Sequence, residues 1–149
     1  MLKDKLKLQG ELTIVVKDKN GNVKENRKEK NLIVDAGLAF ICSRMVDAND
    51  SVMSHMAVGA GTNSPVAGDT DLQSILGNRE PLDSTTHSNN TVTYTSSFES
   101  GDGTGAITEA GIFSASAVGT MLCRTVFPVV NKGVDDTMAI TWTITLNAS

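Results

Sequence analysis

The side chains that could build a nucleophile and its base are His55, His87, Cys42, Cys123 and a scattering of serines. Acyl transfer by such a set needs the base within hydrogen-bond reach of the nucleophile and a third group to orient the base. No Gly-x-Ser-x-Gly elbow occurs, and neither histidine has a carboxylate at a suggestive spacing. A lone histidine is more often structural or superficial than catalytic. The cysteines show no C-x-x-C spacing and no Cys/His cluster, so neither a zinc site nor a disulfide framework is indicated, and both read as small buried hydrophobes.

Oxygen ligands deserve the same test. Asp18, Asn20, Asn22 and Glu29 copy the first, third, fifth and twelfth positions of a helix-flanked calcium loop. The sixth position, which must be glycine, is Val23, and no helices flank the segment, so a hairpin turn accounts better for the same letters. Asp102, set between Gly101 and Gly103, is a cation ligand by type, and a mobile loop explains it equally well. Gly59-Ala60-Gly61 follows a short strand as a dinucleotide-binding loop would, but the third glycine and the following helix are missing, which leaves a tight interstrand turn. No cofactor, no metal and no enzymatic reaction is therefore expected. Glu109 and Arg124 interrupt apolar strand segments, where charges are seldom fully buried unless paired. They either pair between strands, face a subunit neighbour, or point outward from an alternating strand.

The formal charge of −4 over 149 residues and a pI near 5.1 exclude the broad basic face of a nucleic-acid binder. Positive charge is nevertheless concentrated: Lys3, Lys5, Lys7, Lys17, Lys19, Lys24, Arg27, Lys28 and Lys30 all precede residue 31. This cluster reads as a solvated hairpin surface or as a docking arm for an acidic protein neighbour, in preference to a nucleic-acid site. No apolar run approaches the ~20 residues of a membrane span, and the charged start is not followed by a signal-peptide core, so synthesis in a cytoplasm and no membrane partner are expected.

The elements that must carry these residues are mostly strands. Leu6, Leu8, Leu12, Ile14 and Val16 share one face of a strand, Asp18 to Asn22 supplies turn chemistry, and the polar return strand Val23 to Lys30 suits an exposed sheet edge. Asp35 to Val46 has helical spacing in Leu38, Ile41, Cys42 and Met45, with Asp35 placed to cap it, and Asp69 or Thr70 could cap a short turn through Leu76. Strands follow at Met53 to Val58, Val92 to Phe98, Ile107 to Phe113 and Thr120 to Val130. In the last strand Met138, Ile140, Trp142, Ile144 and Leu146 oppose Thr137, Thr141, Thr143 and Thr145. Six or seven strands and one helix predict a mainly β chain, a β-sandwich or jelly-roll-like domain. It is one domain over 1–149, with a basic hairpin or docking arm (1–31) set against a sandwich core (32–149).

Several stretches carry a resemblance. Asn31-Leu32-Ile33-Val34-Asp35-Ala36-Gly37, Met56 to Thr62 with Asp69-Thr70-Asp71-Leu72 and Arg79, Ile107-Thr108-Glu109-Ala110-Gly111-Ile112-Phe113, and Leu122 to Phe127 leading to Thr141-Trp142-Thr143-Ile144-Thr145 resemble a family of tailed-bacteriophage virion surface proteins. The resemblance implies a small β-sandwich, often trimeric, on the outside of the virion as a capsid cement or decoration protein. It implies a homotrimer bridging major capsid protein subunits at the capsid surface, made in the host cytoplasm, with no nucleic-acid or membrane partner. Lys3, Lys5, Lys7, Arg27, Lys28, Lys30, Glu109 and Arg124 are the expected protein-interface residues. The family also occurs in tail and fibre assemblies, so a tail, baseplate or fibre-base protein is the alternative. A glycan-binding module comes behind both, because six aromatic residues, with Trp142 on an apolar face, make a poor sugar platform.

Overall fold

The computed structural model describes residues 5–48 and 50–148; Lys3 lies outside them. Its strands are β1 (Leu6–Lys17), β2 (Val23–Lys30), β3 (Leu32–Ile33), β4 (His55–Gly59), β5 (Glu80–Ser88), β6 (Thr91–Phe98), β7 (Gly105–Phe113), β8 (Met121–Lys132) and β9 (Thr137–Ala148), with one helix, α1 (Asp35–Met45). All pairings are antiparallel, in the order β2-β1-β9-β6-β5-β4-β7-β8-β3. The sheet winds almost into a barrel. Five strands, β2 to β5 in that order, face four, β4 to β3, as in a sandwich. One corner is the two-residue pairing of β4 with β5, and the other is the chain itself, bending at Asn31 from β2 into β3.

Alternation drives the core. Leu12, Ile14 and Val16 of β1 and Met138, Ile140, Trp142 and Ile144 of β9 turn inward and meet Val58, Ile107, Ile112 and Phe127 from the opposite layer. Each such side chain contributes about 1.5–3 kcal/mol relative to exposure. Tyr94 joins them, and burial pushes its phenol up to about 12. The intervening residues form a hydroxyl-rich outer face, on which Lys28, Thr13, Thr141, Thr95 and Ser84 align in one cross-strand row over five strands.

The hairpin and the sandwich drawn apart in the sequence share this core. β1 pairs with β9 over its whole length, from Leu6 opposite Ala148 to Lys17 opposite Thr137. The turn between β1 and β2 is closed by Asp18, whose Oδ1 accepts from the N–H groups of Asn20 (2.9 Å) and Asn22 (3.0 Å), with Gly21 at φ 83°. The Asn22 amide leads the contacts that hold the Asp18 carboxyl below its ordinary range. The oxygen that a calcium loop would direct to a cation is thus spent on the turn itself.

Strand β2 is the exposed edge that its polarity implied, and its seam with β8 is sealed by side chains. Arg27 donates to the carbonyls of Pro128 (2.6 Å) and Val129 (3.2 Å), and the Thr125 hydroxyl donates to the Lys30 carbonyl (2.6 Å). Lys24 Nζ reaches Asp136 Oδ2 at 2.5 Å, and the Gly133 N–H donates to the same oxygen at 2.7 Å. The Lys24 ammonium, followed by that amide, holds the Asp136 carboxyl below the usual carboxylate range. The stabilisation is therefore present above the unfolded carboxylate value of about 3.9 and is lost as pH falls through the lower folded value. Asp136→Asn should flatten this acid limb in denaturation midpoints measured between about pH 5 and 2, and an unchanged limb would rule the contact out as its source.

Three expectations changed. Helix α1 begins at Asp35, but its N-cap is Val34 and no side chain caps it; the Asp35 N–H donates to the Ala67 carbonyl at 2.8 Å. Within it only Gly37 is buried, because its bare Cα sits where a Cβ would lie 2.1 Å from the Leu122 carbonyl oxygen. Phe40 and Ile41 lean on the core while Leu38 and Met45 stay exposed, and Cys42 is exposed too, contrary to its reading as a buried hydrophobe. Cys123 is buried, which raises its thiol well above the ordinary value. Residues 69–76 make bends and a single bridge from Ile75 to Gly59, with no helical turn, because the Asp69 carboxylate turns to the Val66 N–H (3.0 Å) and to Arg124.

Candidate functional site

The two charges inside the sheet meet each other. Glu109 on β7 and Arg124 on β8 are both 0% exposed, and Arg124 Nε donates to Glu109 Oε1 at 3.0 Å. Neither offers a side chain to a neighbour, so their burial removes them from any contact surface of the folded chain. Their work is internal. Glu109 also accepts from the N–H groups of Gly61 (2.7 Å), Gln73 (3.0 Å) and Ser74 (2.8 Å), while Arg124 Nη1 donates to the Asn63 carbonyl (3.1 Å) and to Asp69 Oδ2 (3.0 Å). The connection from Gly59 to Ser74 is thereby moored to the sheet by charge-assisted hydrogen bonds. Among the described residues Arg124 Nη2 is buried without a partner. Gly59-Ala60-Gly61, the superficial dinucleotide motif, is the part of this connection packed against the carboxylate.

A second clamp stands beside it. Arg79 lies over the Phe113 ring at 3.7 Å, pairs with Asp71 at 3.4 Å, and donates to the carbonyls of Ala115 (2.9 Å) and Val118 (2.7 Å). It holds the β7–β8 turn, where Val118 is 86% exposed at φ 58°, a conformation that a β-branched residue adopts only under constraint. Residue types alone carry no sign of these partnerships, whose carbonyl contacts join Arg79 to positions 36 and 39 residues further along the chain.

The residues tested for chemistry stay dispersed. His55 Nδ1 lies 2.7 Å from the hydroxyl of its neighbour Ser54, and His87 is exposed on β5. No group of three or more His, Cys, Asp or Glu placed to hold a metal ion occurs among the described residues.

What the fold does bring together is positive charge. Of the cations after residue 30, Arg79 and Arg124 are withdrawn into the clamps and Lys132 is buried with its Nζ on the Glu99 carbonyl at 2.9 Å, which leaves Arg44 as the exposed one. Burial lowers the Lys132 ammonium from its ordinary value. Lys5, Lys7, Lys17, Lys19, Lys24, Lys28 and Lys30 are all exposed on the β1–β2 flank. Arg27, expected at the same surface, instead shares the inner side of β2 with Glu25 and Glu29 and binds both, leaving its side chain 23% exposed. Inward charges of this kind blunt a sheet edge.

No family model, no curated protein and no solved structure matches the chain.

Proposed function

We propose that the chain is a structural subunit of a tailed-phage virion, a capsid cement or decoration protein that stabilises the head by bridging major capsid protein subunits as a homotrimer. The observation that carries this reading is the segregation of charge: among the described residues of this acidic chain, every exposed cation except Arg44 lies on the β1–β2 flank. A rigid sandwich with one basic flank suits many weak contacts repeated over an acidic shell, where multivalent binding stabilises the assembly by mass action. The resemblance of the strand motifs to virion surface proteins supports the same assignment. Trp142 and Tyr94 are both buried, which weighs against a glycan platform.

The test is direct. Purified protein should sediment as a trimer and saturate empty heads of its phage at hundreds of copies, raising their melting temperature. A monomer that leaves heads unbound would sink the proposal, and a handful of copies confined to the tail would transfer it to the tail or fibre base.

A further inference from the structure

The flank has a gap in its hydrogen bonding. β2 pairs with β1 only from Glu11 to Lys17; at Asn31 the chain leaves for β8, and the Asn31 N–H donates to the Gly10 carbonyl at 3.1 Å as it goes. Backbone groups of an antiparallel strand alternate between its two neighbours, so the N–H and C=O groups of Leu6 and Leu8 point the same way as the Gly10 carbonyl. Among the described residues no strand lies there. Beside this edge is an open groove of about 530 Å³, lined by Leu8, Gly10, Glu11, Lys30, Asn31 and Thr145.

Asn31, which lines the groove, keeps an unspent donor beneath its surface. Trp142 Nε1 donates to Asn31 Oδ1 at 2.8 Å, which fixes the orientation of that amide, and Asn31 Nδ2 is left buried without a partner. Gly10 makes the arrangement possible, since a Cβ there would lie 1.7 Å from Asn31 Oδ1. A buried donor left unpaired is destabilising, so an acceptor that reaches it gains more than the same contact would give in water.

We propose that an extended acidic segment of a partner protein adds to β1 along Leu6 to Gly10, taking the place that β2 vacates. Main-chain pairing supplies the affinity, as in other strand additions. Lys5, Lys7 and Lys30 supply the preference for carboxylates, and Glu11 is offset by its cross-strand neighbour Lys30. A second copy laid antiparallel over Leu6 to Gly10 would set Lys7 opposite Gln9, and its Glu11, opposite Lys5, is already paired with Lys30, so it offers these lysines less than an acidic segment does. Identifying the partner with the shell protein rests on the function proposed above; the strand addition does not.

Two capped peptides of about ten residues are the probes, one alternating Glu with Thr and the other Lys with Thr, titrated into the isotope-labelled full chain. The Glu peptide should shift the amide signals of Leu6, Leu8 and Gly10 and the side-chain amide of Asn31, and should slow exchange of the first three. The Lys peptide should bind about tenfold more weakly, and added salt should narrow the difference. Leu6→Pro removes one outward N–H at a residue that is 62% exposed and should weaken binding about fivefold at unchanged melting temperature. Equal binding of both peptides, binding of neither, or shifts on another face would overturn the proposal. Head binding is a separate readout, so either idea can fail alone.

Discussion

Glu109→Ala should destabilise the protein by more than Arg124→Met, with both losses in the range of about 3–5 kcal/mol. Removing the arginine leaves a buried carboxylate, but one that still accepts from the backbone N–H groups of Gly61, Gln73 and Ser74. Removing the glutamate leaves a fully buried guanidinium with only Asp69 and the Asn63 carbonyl for partners and strands three amides as well, and each unsatisfied amide adds about 1–3 kcal/mol unless water enters. The double replacement Glu109→Leu with Arg124→Met should not recover stability, although apolar exchange often rescues a buried pair, because those three amides would still lack an acceptor. Denaturant midpoints at constant m-value measure all three variants. A larger loss for Arg124→Met, or recovery in the double variant, would show that the ion pair itself, and not the mooring of the connection, carries the energy.

Trp142→Ala should cost about 3–5 kcal/mol through the cavity it opens in the core. Trp142→Phe separates packing from polarity: it keeps most of the apolar volume but deprives Asn31 Oδ1 of its donor, for a loss of about 1–3 kcal/mol. Calorimetry would register that loss as roughly 2–4 °C per kcal/mol in a domain of this size. If the indole hydrogen bond matters at the bend, Asn31→Ala should cost far less in the Trp142→Phe background than in the parent chain. Additive losses would mean that the two residues act independently.

Both effects fall where the sequence was partly readable. Strands β1 and β9 declare themselves because apolar residues recur at every second position and one face is buried, and the polar β2 announces an edge. Strand β5 escaped notice: its residues Asp83 to Ser88 are exposed and without apolar alternation, and the strand exists because β6 pairs with it. Helical spacing located α1 but misjudged its faces, since what seats the helix is Gly37 against the Leu122 backbone rather than a stripe of large side chains. Glu109 and Arg124 were conspicuous as charges in apolar strands. Their third partner, Asp69, and the amides they moor belong to a connection with no periodic signal, so only tertiary structure could bring them together. Surface use was the least legible property, because Arg27 and Lys28 are adjacent in the chain yet face opposite sides of β2.

The seam between β2 and β8 also sets the order in which the molecule can open. A ladder of backbone bonds must be broken as a unit, whereas Arg27, Thr125 and Lys24 fasten this seam by separate side-chain contacts that can release one at a time. β1 is held inside by Leu12, Ile14 and Val16 and by its full-length pairing with β9, so the seam can part first, and the single ladder that joins β2 to β1 can break next, while the core stays shut. Amide exchange along β2 should therefore report a low-energy partial opening and that along β9 the global one, giving the fold a built-in first step of unravelling at its basic flank.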